Sequence, residues 1–177
     1  MIFEESLLSL LEDRGTMSIT RTVFRAATHG QPPLRPNVRG ARWNPPDVAA
    51  LYTSLEESTA RAEWEYLRAS QPLRPRGELS VREVEVKLDA VIDLSDPDML
   101  EGRFGITMRS LPESVLGYGP TQAIGGAAAF LGRSAILVPS LRRLAAANLV
   151  IFTTNVTAGS ESYDLSAGDD ESEPSTD

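Results

Sequence analysis

Residues 49–88, AALYTSLEESTARAEWEYLRASQPLRPRGELSVREVEVKL, give the first indication of the fold, because their patterns predict a strand, a helix and a second strand in succession. The first five residues, AALYT at 49–53, have a composition that predicts a short strand. Residues 54–69 follow with apolar side chains at helical spacing. Ser54 and Glu57 have the spacing of a capping box, which predicts that the helix begins there.

Beyond that helix, residues 79–88 alternate apolar and polar side chains, which predicts a strand, with residues 91–94 as a candidate continuation of the sheet. Residues 96–111 fit no single pattern. Working outward, the same criteria predict helices at 3–13 and 120–131 and strands at 19–26, 135–138 and 149–153. Strands outnumber helices without regular alternation, so the order predicts an α+β fold with a mixed or antiparallel β core and flanking helices.

Charge is unevenly distributed along the 177 residues, whose net charge is −8. Residues 158–177 contain seven acids and no Lys or Arg, so the other residues carry 25 − 7 = 18 acids against 17 bases. We therefore predict one folded domain over residues 1–157 and an acidic, disordered tail over 158–177. A nearly neutral folded part has no basic stripe for nucleic acid, so we expect no nucleic-acid partner.

Several classes of site are excluded by residues that the sequence lacks. Without cysteine there is no disulfide, thiolate metal site or thiol nucleophile. The one histidine, His29, lies in a loop, and there is no G-x-S-x-G elbow, so no His-based triad and no metal site is expected. The longest apolar runs are too short to span a bilayer, and the first residues do not resemble a secretory signal. We expect a soluble, cytoplasmic protein without membrane contact.

A long loop over residues 28–47, rich in Pro and Gly, holds two candidate ligand residues. Arg42 and Asn44 flank Trp43 in GARWNPP, and a loop of this length in a compact domain is commonly functional. Trp43 alone is explained by a loop that buries its own aromatic residue. Arg25, inside the preceding strand, is either a solvent-face residue or a clamp for phosphate, which suits the fork of guanidinium donors.

The helix over 54–69 offers two candidate carboxylates, Glu63 and Glu56, which lie one heptad apart. Glu63 lies mid-helix beside the apolar stripe, where a carboxylate is costly unless it has a partner or a task. Tyr52, just before the helix, is either an ordinary strand residue or a platform for a flat ring. Ser140 ends a strand, and its alternatives are a turn serine and a hydrogen-bonding ligand residue.

Taken together, these segments resemble the RES domain, a family named for its Arg, Glu and Ser. The matching stretches are TVFRA (22–26), GARWNPP (40–46), LYTSLEESTARAEWE (51–65), SVREVEVKLDAVIDL (80–94), GPTQAIGGAAAF (119–130), AILVPS (135–140) and NLVIF (148–152). The family's Arg, Tyr, Glu and Ser then fall on Arg25, Tyr52, Glu63 and Ser140. The resemblance, and not the periodicity, favours Glu63 over Glu56. The sequence departs from the family pattern at two places: the loop reads GAR where many relatives have two glycines, and the acidic tail has no counterpart in the resemblance.

The resemblance implies an ADP-ribosyltransferase-like fold and a bacterial toxin that degrades NAD⁺ by cleaving its nicotinamide–ribose bond, by hydrolysis or phosphorolysis. Its implied catalytic residues are Arg25, Glu63 and Ser140, and its implied NAD⁺-binding residues are Arg25, Arg42, Asn44, Tyr52 and Ser140. The implied partner is a helix-turn-helix (Xre-type) antitoxin. ADP-ribosyl transfer to a protein is the alternative activity, and a non-catalytic partner-binding domain is a further alternative from another class.

Overall fold

The computed structural model describes residues 2–70, 77–108, 118–143, 145–156 and 162–165. Within them the chain forms four helices and six strands. The helices are α1 (Glu5–Asp13), α2 (Glu57–Ser70), α3 (Pro97–Phe104) and α4 (Gly119–Phe130). The strands are β1 (Met17–Thr28), β2 (Ala50–Ser54), β3 (Leu79–Asp93), β4 (Ala135–Pro139), β5 (Ala147–Phe152) and β6 (Ser162–Leu165). The predicted α+β class is confirmed.

The strands form one sheet in the order β1-β2-β5-β4-β3-β6, and an additional pairing joins β1 to β3. Strands β1, β2, β4 and β5 therefore have two neighbours each and β3 has three, and the pairings of β1 to β5 close into a ring. Closure depends on the length of β3, which pairs with β1 from Leu79 to Val91 and with β4 at its end, from Val91 to Asp93. Only β3–β4 is parallel. The prediction of a mixed sheet is confirmed.

The alternation of β3 sorts its side chains between core and solvent. Val84, Val86 and Leu88 are buried, whereas Glu85 and Lys87 between them are exposed. The buried side chains join residues of β1, β2, β4 and β5 in one core cluster inside the ring of strands. A second core cluster lies under α1, α3 and α4. The ring thus has apolar contacts on both faces, and the site is built at one end of its strands.

Three predictions about local structure are corrected. Ser54 ends strand β2 and bonds Asn148, and the Glu57 carboxylate accepts from Arg61, so the predicted capping box is wrong. Residues 79–94, predicted as a strand with a candidate continuation, contain the single long strand β3. Ser162–Leu165, inside the predicted disordered tail, pairs with β3 as β6, because strand pairing there outweighs the acidic composition. The rest of 157–177 lies outside the described residues.

No helix in the described part of the chain is both long and apolar enough to cross a membrane.

Candidate active site

A cavity of about 450 Å³ lies where β2 and β4 end and β5 begins. Helix α2 forms one wall, with Glu63 and Trp64 facing the space, and the 40–46 loop forms another. Six aromatic residues line it: Phe24, Trp43, Tyr52, Trp64, Tyr66 and Tyr118. Its size lies in the range of small-molecule sites, and its walls suit flat ligand rings.

Glu63 is held by two donors that reach it from distant parts of the chain. Ser140 Oγ donates to Glu63 Oε1 over 2.7 Å, and Asn148 Nδ2 donates to the same oxygen over 2.9 Å. Among the described residues, no side chain or backbone group bonds Oε2. The carboxylate therefore lines the cavity with Oε1 anchored and with Oε2 not bonded by the described residues.

The Ser140 hydroxyl has a fixed direction. It accepts the backbone N–H groups of Arg142 and Arg143 at 3.1 and 3.3 Å, in the turn that follows β4. Its proton is then available for one acceptor, and Glu63 takes it. Ser140 is buried and does not line the cavity, so the structure does not support the predicted direct contact of Ser140 with a ligand. Its link to the cavity is the hydrogen bond to Glu63.

Arg25 lines the cavity, but two of its donors are used for structure. Its Nη1 donates to the carbonyl of Tyr52 at 2.8 Å and its Nε donates to the carbonyl of Pro33 at 3.2 Å. Burial lowers the pKa of Arg25 from its ordinary value, and the guanidinium stays charged at neutral pH. Arg25 therefore ties the 28–47 loop to β2 and adds a positive charge to the cavity wall.

The Tyr52 hydroxyl fixes the loop that carries Arg42. It donates to Asn44 Oδ1 at 2.8 Å and accepts the N–H of Trp43 at 2.9 Å. The Asn44 amide in turn donates to the carbonyls of Val48 and Asn37. Asn44 is fully buried and does not line the cavity, so its predicted ligand contact is not supported. The Tyr52 ring does line it, and burial raises the pKa of Tyr52 above its ordinary value.

Two arginines lie against tyrosine rings on the cavity walls. The Arg42 guanidinium carbon is 4.7 Å from the ring centroid of Tyr118, and that of Arg142 is 3.1 Å from the centroid of Tyr66. With Arg25, the described lining carries three arginines against one acid, Glu63. In a protein of net charge −8, this local excess of positive charge gives the described lining a chemistry that suits an anion.

Glu56, the competing carboxylate, lies outside the cavity. It precedes α2, its side chain is 55% exposed, and its Oε2 is 3.8 Å from Arg143 Nη2. Sequence reasoning missed two residues of the site, Asn148 and Arg142. The available signals were a polar amide at the start of an apolar strand, where β-propensity disfavours it, and an arginine pair directly after Ser140.

The fold resembles a solved toxin structure. A chain of the M. tuberculosis MbcT–MbcA toxin–antitoxin complex aligns with a TM-score of 0.70 and 23% sequence identity, over 92% of each chain. No curated protein matches the sequence. The family model described as the RES domain matches residues 20–171, which include Ser140 and every described lining residue of the cavity, Arg25 and Glu63 among them. The chain therefore belongs to the RES domain family.

Proposed function

We propose that this protein cleaves the nicotinamide–ribose bond of NAD⁺. The observation that carries the proposal is Glu63, the one carboxylate among the described lining residues, anchored through one oxygen beside three arginines and six aromatic rings. A dinucleotide offers the matching groups, which are two flat bases and an anionic pyrophosphate. Arginine forks suit phosphate, and aromatic walls suit the bases.

Cleavage breaks the C–N bond, and its electron pair leaves with the nicotinamide nitrogen. Positive charge develops on the ribose, and a fixed carboxylate beside it stabilises that charge most in the transition state. Glu63 Oε2 takes this role in the proposal. Nicotinamide departs as a neutral molecule, so the reaction needs no strong general acid. Arg42 and Arg142 hold the pyrophosphate, with Arg25 supporting the wall and its charge.

The test is incubation of the purified chain with NAD⁺, followed by chromatography of the products. We expect free nicotinamide, with Glu63→Gln as the inactive control. Parallel reactions with water alone, with added phosphate and with protein extract identify the acceptor as water, phosphate or a side chain. The last outcome would assign ADP-ribosyl transfer instead of NAD⁺ degradation. Absence of nicotinamide from all three reactions would sink the proposal.

We also propose that the protein is a cytoplasmic toxin with an antitoxin protein that covers the cavity. Support comes from the family and from the neighbour, whose solved structure is a toxin–antitoxin complex. An enzyme that consumes NAD⁺ harms its own cell unless it is inhibited. An Xre-type helix-turn-helix protein is the proposed partner. Expression of the chain alone should slow growth and Glu63→Ala should not; unimpaired growth with folded wild-type protein would contradict the toxin role.

A further inference from the structure

We propose that Asn148 is a positioning residue for Glu63 and that Ser54 orients Asn148. This inference rests on the proposed function, in which NAD⁺ cleavage depends on the Glu63 carboxylate. It adds two residues to the Arg, Glu and Ser set, both from paired strands and both in the lining of the cavity. The two residues form a chain of hydrogen bonds with one direction, which runs from the Ser54 hydroxyl through the Asn148 amide to one oxygen of Glu63.

The strand register brings the two residues together. Ser54, the last residue of β2, lies directly opposite Asn148 on the antiparallel β5. Asn148 also pairs with Val138 of β4, two residues before Ser140. The two donors to Glu63 therefore come from adjacent strand ends, beneath the same turn of α2. Strand pairing fixes their spacing, so Glu63 meets a rigid pair of donors.

The hydrogen-bonding capacity of each group fixes the direction of the chain. A carboxylate only accepts, so Asn148 must turn its NH₂ toward Glu63 Oε1, at 2.9 Å. Its Oδ1 then faces the opposite way and accepts from Ser54 Oγ at 2.7 Å. Without that hydroxyl the amide would lose its only side-chain partner on the oxygen side among the described residues. Ser54 thus opposes rotation of the amide away from Glu63.

The two donors to Oε1 fix the rotation of the Glu63 carboxylate about its Cγ–Cδ bond. Oε2 accepts no hydrogen bond from the described residues, and it is held at one place in the cavity. Removal of Asn148 leaves Ser140 as a single pivot, so Oε2 becomes free to swing. The arginines and aromatic rings keep their places, so of the lining only the Asn148 side chain itself is lost. The defect therefore belongs to kcat and not to KM.

The kinetic test compares Asn148→Ala, Asn148→Asp and Ser54→Ala with the wild type, using NAD⁺. Asn148→Ala should lower kcat about 10- to 100-fold with KM within about threefold, as expected for a displaced catalytic group. Asn148→Asp sets a second carboxylate against Glu63 and should lose at least as much. Ser54→Ala should lose less than either. Unchanged kcat in well-folded Asn148→Ala, or a loss confined to KM, would overturn the inference.

Asn155→Ala is the matched control for lost packing. Its amide is also part-buried and donates two hydrogen bonds, to the carbonyls of Ala129 and Arg133, away from the cavity. We expect Asn155→Ala to lower the melting midpoint and to keep kcat. If it lowers kcat as much as Asn148→Ala, the effect of Asn148 is general destabilisation and the inference fails.

A second measurement separates this inference from the proposed function. The side-chain amide protons of Asn148, followed by NMR in the full chain, should move upfield in Glu63→Ala, because the charged acceptor is gone. They should not move in Glu56→Ala. A wild type that releases no nicotinamide would contradict the proposed function. Asn148 amide protons whose chemical shifts do not change in Glu63→Ala would contradict the positioning role alone.

Discussion

Glu63 and Glu56 differ at the residue scale through the contacts they make and not through their helical phase. Glu56 faces solvent beside Ser58 and Arg143, where a carboxylate keeps its hydration. Glu63 gives up part of that hydration and gains charge-assisted hydrogen bonds from Ser140 and Asn148. Those donors lie 77 and 85 residues away in sequence. The site is therefore a tertiary product, assembled by the sheet around one residue of α2.

Glu63→Gln should keep the fold and lower NAD⁺ turnover about 10²- to 10³-fold, because one electrostatic stabiliser of the transition state is lost. Its control, Glu56→Gln, should keep turnover and change the unfolding free energy by about 0.3–1 kcal/mol, from lost favourable charge near the start of α2. Turnover and thermal melts of both variants decide the assignment. An active Glu63→Gln beside a folded but inactive Glu56→Gln would reverse it.

Tyr52→Phe should destabilise the protein at about pH 8 and by less at higher pH. The hydroxyl serves the N–H of Trp43 and the Oδ1 of Asn44, and leaving them unpaired costs about 1–3 kcal/mol. Because burial raises the pKa of Tyr52, the folded state keeps its proton where the unfolded state loses it. This contribution is complete below about pH 10 and falls as pH rises above it.

Urea unfolding measures the effect. Between about pH 8 and about pH 10.5, the stability gap between wild type and Tyr52→Phe should narrow by about 0.8 kcal/mol, since only the wild type carries the hydroxyl that titrates on unfolding. A gap that stays constant or widens would show that the folded Tyr52 ionises as easily as the unfolded one.

At the scale of elements, helix α4 and the 40–46 loop hold each other in place. The Gln122 amide donates to the carbonyl of Ala41 at 2.9 Å, and the backbone of Gly125 lies directly against the carbonyl of Trp43. A side chain at Gly125 would collide with that carbonyl, so only glycine allows the approach. The GPTQAIGGAAAF stretch thus packs against the loop that carries Arg42.

Gly125→Ala should lower both stability and turnover. The added methyl group must displace either α4 or the backbone of Trp43, which costs about 1–3 kcal/mol or more, and the shift moves Arg42. Gly102→Ala in α3 is the matched control, because nothing lies within 4 Å of its added Cβ. It should gain about 0.5–1 kcal/mol of helix stability and keep its turnover. Equal effects from the two substitutions would show that the packing of Gly125 is not special.

At the scale of the whole molecule, the sequence predicts the individual strands and helices, because local patterns of apolar and polar residues determine them. The alternation of Val84, Val86 and Leu88 identified β3, and apolar runs identified β4 and β5, whose bounds then moved by only a few residues. Long-range pairing was beyond reach, because no local pattern says that Ser54 meets Asn148 or that the ring of strands closes. Ser140 and Asn44 were found as important residues, yet their roles as supports of Glu63 and the loop depend on those tertiary contacts.

Strand β6 shows where composition misleads. Its four residues, Ser162–Leu165, stand in an acid-rich stretch and have too little apolar content to predict a strand. They become one because β3 presents a free edge, along which Val86 pairs with Tyr163 and Val84 with Leu165. Tyr163 also packs against the core cluster inside the ring. The family match continues to residue 171, which agrees with a domain that includes β6.

Truncation tests whether β6 belongs to the folded unit. A chain that ends at Val156 loses β6 and uncovers the edge of β3, so four cross-strand pairs and the Tyr163 packing disappear. At about 0.2–1 kcal/mol for each pair, we expect a loss of about 1–3 kcal/mol and a melting midpoint lower by about 2–10 °C. The control ends at Leu165 and removes five acids but no part of β6, so its midpoint should match the full chain. NAD⁺ turnover should survive in both, because β6 pairs with Val84–Lys87 and contributes nothing to the cavity lining. Equal melting midpoints for the chains ending at Val156 and Leu165 would instead show that β6 does not stabilise the folded domain.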